Sequence, residues 1–69
     1  MPKSLLADIE WHRARIAFYT QALEELAADQ NVPDDAARIA RMEGIQKIIA
    51  DLRRTLGHLE EALAQRART

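Results

Sequence analysis

Two long heptad-patterned stretches separated by one short break constrain this chain more than any other feature in it. In the first stretch, apolar residues fall at Leu5, Ile9, Ile16, Tyr19, Leu23 and Leu26, with His12 in the one gap. The steps alternate between four and three residues. That is the spacing of a helical seam with Leu5 at d and Ile9 at a. In the second stretch Met42, at a, is followed by Ile45, Ile49, Leu52, Leu56, Leu59 and Leu63 in the same rhythm, and Ile39 and Ile48 widen the stripe. Strands would need a period-two alternation that is nowhere present. Thirteen alanines add helix propensity throughout. The pattern predicts an all-α chain, with 1–69 as one helical-hairpin domain.

Turn chemistry accumulates only at Asp29-Gln30-Asn31-Val32-Pro33. The expected helices are therefore roughly 4–29 and roughly 33–67. Ser4 suits the cap of the first helix, where its side chain accepts from a free backbone N–H. Asn31 suits a left-handed residue past the end of that helix, with Val32 folding back on Leu26 or Ala27. Pro33 fits the first position of the second helix. Asp34 and Asp35 in its first turn, and Arg66 and Arg68 near its end, complement its dipole. Gly44 and Gly57 each cost about 1 kcal/mol relative to alanine in a helix. The apolar stripe keeps its phase across Gly44, so an unbroken helix is expected there. Gly57 lies one heptad from Ala50 and from Ala64, a row that would let another helix come close, or it is a tolerated surface glycine.

A short loop makes the two helices antiparallel neighbours. Helix rise and the loop centre predict pairs whose numbers total roughly 62. Leu23 then meets Ile39, Tyr19 meets Met42, Ile16 meets Ile45, Ile9 meets Leu52 or Leu56, and Leu5 meets Leu56. His12 falls near Ile49 and Arg53. In this register Leu59 and Leu63 overhang the start of the first helix. Trp11 and Phe18, both at c, lie on the shoulder of the seam beside Arg15. A lone hairpin would leave Trp11, Phe18, Ile48, Leu59 and Leu63 facing water. Each large apolar side chain is worth about 1.5–3 kcal/mol when buried, and a chain of 69 residues has little stability in reserve. Self-association into a coiled-coil-like four-helix bundle, most simply a two-fold dimer, resolves this. In chain length and helical-hairpin plan, though in no shared motif, the chain resembles the plasmid-encoded Rop family. That resemblance implies a dimeric four-helix bundle and RNA binding, and it carries over no individual residue.

Composition removes several other classes. Ten basic against eleven acidic residues give a net charge of −1, so no single-sign field draws in nucleic acid or membrane. The absence of cysteine excludes disulfides and thiolate metal sites. No run is long and apolar enough to span a bilayer, and no signal-peptide core is visible, which makes a cytoplasmic setting the expectation. The first thirty residues carry three basic and five acidic groups, the wrong balance for a membrane-surface helix. Eight arginines against two lysines, with the high alanine content, suggest a GC-rich bacterial or phage source.

The sequence holds few of the residue patterns that carry chemistry. No Glu-x-x-His pair exists for a di-iron bundle, and Asp8 with His12, or His58 with Glu61, supply too few ligands for zinc. Ser4, Thr20, Thr55 and Thr69 lack the base and orienter that activate a nucleophile. There is no Gly-rich phosphate loop. The adjacent pairs Glu24-Glu25 and Glu60-Glu61 diverge on a helix and read as solvated face. No catalytic residue, cofactor or metal is assigned, and a non-enzymatic assembly, adaptor or regulatory protein is expected. Its interface candidates are Trp11, Phe18, Ile48, Leu59 and Leu63. Its expected partner is a second copy of itself, with another protein's helix as the other candidate.

His12 is expected at the edge of the core, bonded to Asp8 or a backbone carbonyl. Two-fold symmetry would also make it a pH-sensitive core position, tested by assembly state between about pH 5 and 8. The alternative function is a nucleic-acid-binding regulator using Arg13, Arg15, Lys47, Arg53 and Arg54 on the open half of the hairpin. Interspersed Asp8, Glu10 and Asp51, an expected Glu43–Lys47 pair and a sequence pI near 6.1 weigh against it.

Overall fold

The computed structural model describes residues 4–29 and 35–68. Two helices, α1 (Leu5–Ala28) and α2 (Asp35–Arg68), pack against each other as an antiparallel hairpin. Both boundaries of α1 agree with the sequence expectation to one residue. Ser4 is the cap, in extended backbone geometry, and its hydroxyl oxygen accepts from the Ala7 N–H at 3.0 Å. At the other end the Asp29 N–H donates to the Leu26 carbonyl at 3.3 Å, and Asp29 itself is extended (φ −75°, ψ 108°). The expected roles of Asn31, Val32, Pro33 and Asp34 lie outside the described residues. Arg66 and Arg68 occupy the last turn of α2, where positive charge meets the free carbonyls.

The second helix is unbroken across both glycines. A Cβ built at Gly44 or Gly57 would meet nothing within 4 Å, so neither glycine serves a close approach inside this chain. Thirty-four residues at the α-helical rise make α2 roughly 51 Å long. That accounts for nearly all of the 55 Å length of the molecule, which is only 19 by 18 Å across.

The pairing register differs from the one expected. Leu23 shares a groove with Gln46 and Ile49 rather than meeting Ile39, and Leu26 lies with Arg41 and Ile45. At the open end Arg13 reaches Glu60. Each residue of α1 therefore sits against a position about one heptad (~7 residues) further along α2 than predicted. This corrects the expected partner of Leu23, and the other expected pairs, Tyr19–Met42, Ile16–Ile45, Ile9–Leu52 or Leu56, Leu5–Leu56 and His12 near Ile49 and Arg53, were drawn on that same register. The physical reason lies in the repeat itself. A slip of one heptad leaves both apolar stripes facing each other, so patterning alone does not select among registers.

The new register exchanges burdens. Leu59 and Leu63 do not overhang α1. They come level with Ile9 and Leu5, and both are half-buried. Ile39 instead falls at the end of α1 and is 51% exposed. Sheltering two leucines for one isoleucine favours the observed pairing by an amount on the order of one large side chain, about 1.5–3 kcal/mol. Even so, the buried core among the described residues is Ile9 (2% exposed) and Ile49 (7%) alone.

Candidate oligomer interface

A hairpin has a seam and two flanks, and side chains seven residues apart share a column on the helix surface. On the first flank, Thr20, Leu23, Gln46, Ile49, Ala50 and Arg53 line an open groove of about 250 Å³. The columns of Thr20 and Arg53 continue to Arg13 and Glu60, which form an ion pair at 2.7 Å. This flank is polar along its middle. Its exposed apolar groups, Leu6 and Ile39, share those columns but sit at opposite ends, roughly 30 Å apart by helix rise.

The second flank differs. Ala22, Glu25, Leu26, Asp29, Arg41 and Ile45 line a depression near the loop end. Glu25 continues the column of Trp11 and Phe18, Ala22 that of Arg15, and Arg41 that of Ile48. Trp11, Phe18 and Ile48 therefore lie on one side of the hairpin, near its middle, and all three are exposed (42%, 62% and 41%). The Arg15 guanidinium carbon lies 5.0 Å from the centroid of the Trp11 ring, a cation–π contact. Trp11 meets His12 edge-on with centroids 5.0 Å apart, and Phe18 meets Tyr19 edge-on at 5.4 Å. These local contacts hold the two aromatic rings against α1 and leave their outer surfaces open. Of the five interface candidates, Trp11, Phe18 and Ile48 share one side of the hairpin and are exposed, whereas Leu59 and Leu63 are half-buried seam positions.

His12 is half-buried in the seam. Its Nδ1 lies 2.7 Å from the Asp8 carbonyl oxygen, one turn back, so that nitrogen carries the proton and donates. Both the neutral and the charged ring have such a donor. The bond fixes the ring's orientation. It is the backbone carbonyl of Asp8, not the carboxylate, that holds the ring.

The five basic residues of the nucleic-acid alternative are dispersed. Arg13 and Arg53 belong to the first flank and Arg15 to the second. Lys47 and Arg54 share a column on the outer surface of α2. Arg13 is paired with Glu60, and Arg54 pairs with Asp51 at 3.2 Å, one turn away. Both pairs are largely exposed, so each is worth at most about 1 kcal/mol. Among the described residues the expected Glu43–Lys47 ion pair is not formed. Gln21 and Gln65 instead provide the one-turn polar links on the solvated faces, to Glu25 and Glu61.

Among the described residues no group of three or more His, Cys, Asp or Glu side chains is placed to hold a metal ion, and no helix is long and apolar enough to cross a membrane. No family model matches the chain, and comparison with curated proteins and with solved structures returns no match.

Proposed function

We propose that this chain is a non-enzymatic assembly module that works by homo-oligomerisation, with a dimeric four-helix bundle as its unit. One observation carries the proposal. A compact monomer of 7.8 kDa should expose about 4,400 Å², whereas this hairpin exposes 5504 Å². The excess, roughly 1,100 Å², is more than the about 800 Å² that each partner gives up in a standard protein interface. Trp11, Phe18 and Ile48 supply the apolar centre that such an interface needs. Leu59 and Leu63 enter it as seam residues whose open edges a second hairpin would cover. In a bundle the association itself is the activity: it brings together whatever is fused to, or bound by, each chain.

Sedimentation equilibrium or light scattering across a concentration series tests the proposal. The expected mass is that of two chains, falling toward one on dilution. A single-chain mass at every concentration, with helicity and melting temperature unchanged, would overturn it. Retention of nucleic acid that weakens steeply with salt would favour the dispersed basic residues instead, because phosphate contacts release counterions.

A further inference from the structure

We infer that Arg38 sets the register of the hairpin by bonding across it to the end of α1. The inference concerns how one chain pairs with itself and stands independently of self-association. Two observations carry it.

The first is the place of Arg38. It lies one heptad before Ile45, in the seam column that continues through Leu52 and Leu59, and it is half-buried there. Its guanidinium donates to the Asp29 carbonyl oxygen at 3.0 Å. The last carbonyls of a helix have no partner within it, and α1 has no basic residue in its last turn. A cation supplied by α2 therefore meets the negative end of the α1 dipole.

The second is what a slip would do. The apolar stripes face each other again after a shift of seven residues, but the polar ties do not re-form. Pairing α1 with positions seven earlier on α2 puts Arg38 where Ile45 now stands, beside Leu26. The carbonyl offered in place of that of Asp29 is then that of Ala22, inside α1 and committed to its own helix. The arginine would enter the apolar seam with no free carbonyl to receive it, which is costly for a charged group. The same shift puts Arg53 where Glu60 stands, so Arg13 loses its partner at 2.7 Å and faces a like charge. The opposite shift puts Ile45 in the place of Arg38 and Ala67 in that of Glu60, and neither side chain can make the bond. Of these three registers only the observed one keeps both ties. A polar residue at a single seam position specifies register at some cost in stability. The Arg13–Glu60 pair is largely exposed and adds little, so Arg38 is the stronger tie.

Distances between spin labels test this. The chain has no cysteine, so Gln21→Cys with Glu61→Cys places one label on the outer surface of each helix, at positions that are both exposed. Diluting labelled chains into an excess of unlabelled ones leaves only distances within a chain. With Arg38 intact, one distance is expected. Pairing seven positions earlier on α2 carries Glu61 about 10 Å further from Gln21 along the hairpin axis. Arg38→Leu removes the bond and places an apolar side chain that suits the seam in either register. A second, longer distance should then appear, its population rising roughly tenfold or more. Arg38→Lys keeps a charged donor and should return most of that population to the single distance.

An arginine that only stabilised the hairpin would lower the melting temperature of Arg38→Leu without adding the second distance. One unchanged distance in Arg38→Leu, or a second distance already present with Arg38 intact, overturns the inference. Equal second populations in Arg38→Lys and Arg38→Leu overturn it too. So does loss of helicity by circular dichroism in Arg38→Leu, because leucine at a seam position should keep the helices paired.

Discussion

The seam between the helices and the flank beside it are both built from large apolar side chains, yet they are hidden to very different degrees. Ile9 and Ile49 are almost fully covered within one chain, while Phe18, two residues from the seam position Ile16, is 62% exposed. The difference lies in what a two-helix hairpin can enclose. Each helix offers one stripe to its neighbour, and a residue more than one column away has nothing on its far side. The seam is covered by intramolecular folding, whereas the flank is left open to solvent. Stability of the monomer and tendency to associate should therefore answer to different residues.

The largest expected effect is on the seam. Ile49→Ala truncates one of the two buried core side chains among the described residues and should cost about 2–5 kcal/mol, a large share of what a chain this size holds. A thermal melt followed by circular dichroism should show a lower and broader transition at every protein concentration. If Ile49→Ala leaves the melt unchanged while the flank variants lower it, the distinction between seam and flank collapses.

Next come Trp11→Ala with Phe18→Ala. This double variant should shift the mass from two chains to one at concentrations where the unmodified protein is dimeric, and helicity should fall in parallel. Two aromatic side chains per copy, each worth about 1.5–3 kcal/mol on burial, place the loss of affinity at a hundredfold or more. Unchanged mass and helicity would mean that this flank is not the subunit contact.

Smaller changes sharpen the comparison. Ser4→Ala removes the acceptor of the Ala7 N–H and should cost about 1 kcal/mol. Because the loss is at the end of α1, the melting temperature of the dissociated chain should fall while the patch of Trp11, Phe18 and Ile48 stays intact. Gly57→Ala acts in the other direction. Its added Cβ meets nothing within the chain, so helicity should rise, with a gain of up to about 1 kcal/mol. A fall in mass on Gly57→Ala would show instead that another helix approaches the row of Ala50, Gly57 and Ala64. Least of all, Glu60→Ala breaks an exposed ion pair and should change stability by less than about 1 kcal/mol, an effect that added salt erases.

The local parts of this fold were legible because they depend on neighbours in sequence. Ser4 caps α1 because a serine side chain reaches the N–H three residues on. The continuity of α2 through Gly44 followed from the unbroken phase of Ile39, Met42, Ile45 and Ile49. His12 was expected to bond Asp8 or a backbone carbonyl, and it does so because residues four apart stack on one face of a helix. Partner choice across the hairpin was not legible. Leu59 and Leu63 were expected to be stranded, and Ile39 to be paired, because a repeat of seven looks the same after a slip of seven. The division into an apolar and a polar flank was missed for a related reason. Trp11, Phe18 and Ile48 were each visible as large and off the seam, but their lying on one side of the hairpin depends on which flank of α1 faces which flank of α2. That signal was present in the heptad columns, where Trp11, Phe18 and Glu25 align, and becomes usable once the register is known.

Helix content, the cap at Ser4, the position of the break and the existence of two matching stripes were determined by the sequence alone, since each arises from interactions spanning no more than about one heptad. Tertiary structure decided the register, and with it which apolar residues are sheltered. Registers that keep the two stripes facing each other differ in what is covered at the two ends, a non-local quantity that no short stretch of sequence carries.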